Sequence, residues 1–82
     1  MGLHEELRDF LVRDLGFTGD RDALTDDYPL IDNNVLDSQG IFEMVSMIED
    51  RYRVEIDDEE LLPENFESVG AIARLVESKR AS

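Results

Sequence analysis

These 82 residues contain no cysteine and no tryptophan, and only one histidine and two prolines. The missing thiols exclude a disulfide framework, a cysteine-ligated zinc site and a thiol nucleophile, and they suit a reducing compartment. Positive charge is scarce as well: eight Lys and Arg stand against 21 Asp and Glu, a formal net charge of −13. A field of that sign repels nucleic acid and anionic lipid and steers basic protein surfaces toward itself. No apolar run is long enough to span a bilayer. The opening residues 1–6, Met-Gly-Leu-His-Glu-Glu, have neither the basic region nor the apolar block of a secretion signal. We therefore expect a cytoplasmic monomer that binds neither nucleic acid nor membrane and whose partners are other proteins.

What is present is enough apolar side chain to fold. With 41% hydrophobic residues, the chain builds one small domain, expected over 1–82, but not a second domain or a deep enclosed active site. Leu3, Leu7, Phe10, Leu11 and Leu15 recur at helical spacing and Gly16 follows as a C-cap, which predicts a helix over 3–15. A second stripe, Ile41, Met44, Val45, Ile48 and Tyr52, predicts an amphipathic helix over 38–52. A third, Val69, Ile72, Ala73 and Val76, follows the capping residue Ser68 and ends on Lys79 and Arg80, cations suited to a helix C-terminus.

Between the first two helices the periodicity fails. Residues 16–37 are rich in Thr, Gly, Asp, Asn and Pro, and long loops of this kind in small domains are functional or disordered. Leu24, Tyr28, Leu30, Ile31, Val35 and Leu36 argue that this one packs over the core. Val54 and Ile56 alternate with charge but have no partner strand elsewhere, so they read as a connector. Residues 57–62 suggest one acidic helical turn, and Pro63 opens another. The expected fold is an all-α four-helix bundle of three principal helices and one short one, with a long loop between the first and second.

Few residues offer chemistry. His4 lies in the first turn of a charged helix, far in sequence from any serine, so no Ser-His-acid arrangement follows. Asp57, Asp58, Glu59 and Glu60 lack the spacing of a calcium loop, and Asp26, Asp27 and Asp32 are equally unpatterned. The helix over 38–52 is more informative. Gln39, Phe42, Glu43, Ser46 and Asp50 fall opposite its apolar stripe, with Glu49 at the border. Phe42 is thus an aromatic ring among acids, one turn beyond Ser38. Either it packs beneath the long loop or it is the anchor of a docking face whose acidic rim complements a basic partner.

The stretch 36–40, Leu-Asp-Ser-Gln-Gly, is preceded by Leu-Ile-Asp-Asn-Asn-Val at 30–35 and followed by an acidic amphipathic helix. It resembles the phosphopantetheine attachment region of acyl carrier proteins. The spacing to Val54-Glu55-Ile56, Pro63-Glu64-Asn65-Phe66 and Ser68-Val69 is similar to the same family, so the likeness covers nearly the whole chain.

The resemblance implies that a separate phosphopantetheinyl transferase places 4'-phosphopantetheine from coenzyme A on the Ser38 hydroxyl. The terminal thiol of that arm then carries an acyl group as a thioester. By the same analogy Asp37 helps the transferase recognise the site and position its metal, and Gln39, Phe42, Glu43, Ser46 and Glu49 face partner enzymes. Gln39 departs from the leucine usual in primary fatty acid synthesis, and Leu36-Asp37 from the glycines usual in peptide synthetases. Leu-Asp-Ser-x-Gly is more like discrete carriers loaded by an acyltransferase or an adenylate-forming ligase and read by downstream synthase modules. The expectation is a non-catalytic carrier of acyl or aminoacyl groups in polyketide or nonribosomal peptide biosynthesis. The alternatives are a D-alanyl or fatty-acid carrier and, from another class, an unmodified acidic adaptor in which Ser38 merely caps a helix. A hydrolase using Ser38 lacks a nearby base.

Overall fold

The leucine stripe of the first segment does form a helix. In the computed structural model, which describes residues 2–80, α1 spans Leu3–Arg13 and turns Leu7 and Leu11 fully into the core. Met1, Ala81 and Ser82, the ends of the expected 1–82 domain, lie outside the described residues. The helix stops two residues short of the expected 15. The Asp14 N–H still reaches the Phe10 carbonyl at 2.9 Å, but Gly16 takes a left-handed φ of 76° and lets the Phe17 N–H return to the Leu11 carbonyl at 3.2 Å. Glycine adopts that conformation without steric cost, so the helix ends there.

The long segment that follows is stitched down rather than free. Leu24, Leu30 and Leu36 are fully buried, while Tyr28, Ile31 and Val35 are half-buried against the core. Its backbone is held from two sides. The Arg8 guanidinium donates to the Leu24 carbonyl at 2.6 Å and to Asp26 at 2.7 Å, and the Leu30 N–H donates to the Glu67 carbonyl at 2.8 Å. A short 3₁₀ turn at Arg21–Ala23, invisible to periodicity, is capped by the Asp20 carboxylate.

Next come α2 (Ser38–Tyr52), a 3₁₀ turn at Asp58–Glu60, α3 (Pro63–Phe66) and α4 (Val69–Arg80). Pro63 opens α3 and Ser68 caps α4, its Oγ accepting the Ala71 N–H at 3.1 Å. The connector with Val54 and Ile56 is not a strand, and the described residues contain none. The chain is therefore the expected all-helical bundle.

Its centre is α4, with six buried residues in twelve. α1, α2 and α3 all lean on α4, whereas α1 and α2 touch each other only sparsely. The C-terminal end of α4 is tied back to the acidic turn: Lys79 pairs with Glu60 and lies 3.8 Å from Asp57. Nearby, the Arg80 guanidinium sits 5.7 Å from the centre of the Tyr52 ring, whose hydroxyl donates to Glu6 at 3.1 Å.

Candidate functional site

The start of α2 is built by the loop before it. Asn34 adopts a left-handed φ of 60°, a conformation that asparagine tolerates better than most residues. The reversal returns the Val35 and Leu36 N–H groups to the Leu30 carbonyl at 2.8 and 3.2 Å. With Leu36 buried as an anchor, the next residue emerges at the surface as the helix begins.

That residue is Asp37. It holds an extended conformation, and its carboxylate accepts the Gly40 N–H at 2.8 Å. Asp37 is thus the N-cap and Ser38 the first residue of the helix proper. This division settles which of the two small polar residues satisfies the orphan backbone donors. The Ser38 side chain is exposed and makes no hydrogen bond to any described residue. The N–H groups of Ser38 and Gln39 likewise have no internal acceptor and point outward at the positive end of the helix.

Gly40 makes the arrangement possible, a role the sequence did not advertise. A Cβ there would lie 3.2 Å from Leu36 Cδ2 and 3.3 Å from the Asp37 carboxylate, crowding both the anchor and the cap. Gly40 is buried together with Met44 and Ile48, which form the side of α2 that rests on the core. The expected stripe is therefore rotated. Ile41, Val45 and Tyr52 are only half-buried on one flank, and Met47 is half-buried on the other. Counting glycine as a core residue would have revealed this, because Gly40, Met44, Met47 and Ile48 share one side.

The opposite face holds most of the residues expected there. Gln39, Glu43, Ser46 and Asp50 are exposed, and Phe42 is 62% exposed. The ring is not tucked under the loop. Glu49 differs from the others: it is half-buried, and its carboxylate accepts the Ile56 N–H at 2.9 Å, fastening the connector to α2.

The remaining candidates stay apart from this region. His4 is at the exposed start of α1 with Nε2 3.9 Å from Asp26, and no hydrogen bond links it to Ser38. Among the described residues no group of three or more His, Asp or Glu side chains is placed to hold a metal ion. Nor is any described helix long and apolar enough to cross a membrane.

An exposed serine thus heads the second helix of a small acidic bundle. No protein-family model matches the chain. Over 63 residues it is 33% identical to a protein named Probable acyl carrier protein PigG, from Serratia sp. (strain ATCC 39006), and the match covers 77% of this chain and 72% of that protein. One solved chain, from a structure described as "Crystal structure of FAD-dependent dehydrogenase", superposes with a TM-score of 0.73 at 32% identity, covering 85% of this chain and 97% of that one. This chain belongs to the acyl carrier protein family, whose members normally carry a phosphopantetheine arm.

Proposed function

We propose that the protein is a non-catalytic, cytoplasmic and monomeric acyl or aminoacyl carrier of secondary metabolism, bearing 4'-phosphopantetheine on Ser38. The observation that carries the proposal is the division of labour at the head of α2. Asp37 caps the helix at 2.8 Å, so the Ser38 hydroxyl is free to be the nucleophile when a transferase supplies the base. The outward N–H groups of Ser38 and Gln39 and the helix dipole favour a phosphodiester at this place. Once attached, the arm supplies the thiol that the cysteine-free chain lacks, so that an acyl group is held as a thioester.

Apart from Ser38, the residues of the chain position and present rather than react. Leu36 and Gly40 fix where Ser38 emerges, and Asp37 marks the site for the phosphopantetheinyl transferase. Gln39, Phe42, Glu43 and Ser46, with Glu49 at their edge, form the face read by the loading enzyme, an acyltransferase or adenylate-forming ligase, and by downstream synthase modules. An exposed aromatic ring within an acidic rim suits basic partner surfaces. The similar solved chain is of comparable length to this one and comes from a structure described as an FAD-dependent dehydrogenase. That supports a flavin-dependent dehydrogenase among the enzymes acting on the carried group.

The test is the intact mass after incubation with coenzyme A, magnesium and a promiscuous transferase. A gain of one phosphopantetheine in the wild type and none in Ser38→Ala is expected. No gain with an active transferase would favour the unmodified adaptor.

A further inference from the structure

α1 and α2 both lean on α4 and meet each other at Glu6, which pairs with Arg51 and accepts from the Tyr52 hydroxyl, and a trough runs between them. At its head, beside Ser38, it is lined by Asp37, Gln39, Gly40, Glu43 and Asp14. It continues over Phe10 and Met47 between Asp14, Glu43, Ser46 and Asp50, and ends beside Glu6, Arg13 and Arg51. The floor is apolar and half-exposed: Phe10 from α1 and Met47 from α2 both pack against the core yet keep part of their surface in water.

The charge along this trough is uneven. Asp14, Glu43 and Asp50 are exposed and pair with no cation among the described residues, whereas Asp9 is bound by Arg21 at 2.9 Å and Glu6 by Arg51 at 3.3 Å. The basic residues of its lining, Arg13 and Arg51, stand at the far end. The part nearer Ser38 thus joins an apolar floor to a rim of uncompensated negative charge, which a basic segment with one apolar side chain complements.

We infer that this trough, which shares Gln39, Glu43 and Ser46 with the outer face of α2 but not the Phe42 ring, is a docking groove for a basic surface segment of the flavin-dependent dehydrogenase class named above. The inference rests on the carrier reading for its partner but not for its geometry. A partner seated there grips the bundle alongside α2 and receives the arm from the head of the same helix. Phe42 is left free for another enzyme.

Methionine methyl groups make this testable. In holo-protein labelled with ¹³C at the methionine methyls, Met47 reports on the trough and the fully buried Met44 serves as an internal control. The probe is the FAD-dependent dehydrogenase of the similar crystal structure. We expect its titration to shift or broaden Met47 saturably with little change at Met44. The Asp14→Lys/Asp50→Lys double variant, at exposed positions that make no ion pairs among the described residues, is expected to keep the wild-type melting temperature and bind about tenfold or more weakly at low salt. A Met47 signal unmoved at saturation, no binding at all, or a charge reversal without effect overturns the inference. Repeating the titration with apo-protein separates the two readings. Modification at Ser38 with a silent Met47 defeats the groove alone; a responsive Met47 on a chain that no transferase modifies defeats the carrier reading alone.

Discussion

The Asp37 carboxylate accepts the Gly40 N–H at 2.8 Å and thereby relieves Ser38, its neighbour, of capping the helix it begins. A hydroxyl engaged in capping would have to leave the backbone before it could be modified. Here the two tasks sit on adjacent side chains.

Asp37 should therefore show two separable effects. Asp37→Ala removes the cap and is expected to lower stability by about 1 kcal/mol. Asp37→Asn keeps a capping oxygen, so its denaturant midpoint should stay near wild type. Both variants should slow phosphopantetheinylation at fixed transferase concentration. A wild-type rate in Asp37→Asn would show that Asp37 is only a cap.

Gly40→Ala tests the crowding at the helix head. Replacing glycine inside a helix ordinarily stabilises by about 0.5–1 kcal/mol. At this site the new methyl meets Leu36 and the capping carboxylate at 3.2 and 3.3 Å, so we expect a net loss of about 1 kcal/mol in urea unfolding. A more stable Gly40→Ala would mean that the anchor and cap yield easily.

Phe42 and Ile48 lie on opposite faces of one helix and should respond oppositely. Phe42→Ala should change stability by less than about 0.5 kcal/mol while lowering turnover by a partner enzyme. Ile48→Ala, at a fully buried position, should cost about 2–5 kcal/mol. A large stability loss in Phe42→Ala would place the ring in the core and end its role as an anchor.

The tie between the acidic turn and α4 has a pH signature. The hydrogen bond from Lys79, then that from the Asp57 N–H, holds the Glu60 carboxyl below its usual 4.5; the bond to Glu60 raises the Lys79 ammonium above its usual 10.5. The depressed Glu60 value stabilises the fold above the ordinary carboxylate range and ceases to do so as pH falls below it. The raised Lys79 value does so below 10.5 and fades as pH climbs past it. Melting curves of wild type and Glu60→Gln should differ near neutrality and converge at both extremes. A constant gap across pH would contradict this.

Tyr52 adds a signal of its own. Burial, reinforced by its hydrogen bond to Glu6, pushes the phenol from 10.0 up to about 12. The fold thus favours the protonated ring, a contribution present below 10 and lost as pH rises through about 12. Absorbance titration of tyrosinate should show this late transition, and Glu6→Gln should bring it earlier. An unchanged transition in Glu6→Gln would leave burial as the whole cause.

The helices were legible because apolar spacing carries them, and the α2 limits of Ser38 and Tyr52 came out as expected. Leu24, Leu30 and Leu36 also showed in advance that the long loop packs inward. Three things escaped. The end of α1 depended on Gly16 choosing a left-handed φ. The 3₁₀ turn at Arg21–Ala23 is too short for any period. The orientation of α2 depended on Gly40, which a hydrophobic stripe does not count, and with it went the trough floor at Met47. At the candidate site, the exposure of Ser38 and of the outer face could be read from residue order, but the assignment of the cap to Asp37 needed backbone geometry.

The central claim is that one serine, Ser38, bears the arm. The most direct measurement is tandem mass spectrometry of the tryptic segment 22–51 after co-expression with a transferase. This segment contains both Ser38 and Ser46. Fragment ions placing phosphopantetheine on Ser38, with Ser46 unmodified, are the predicted result. An unmodified segment, or the group on Ser46, would contradict the account.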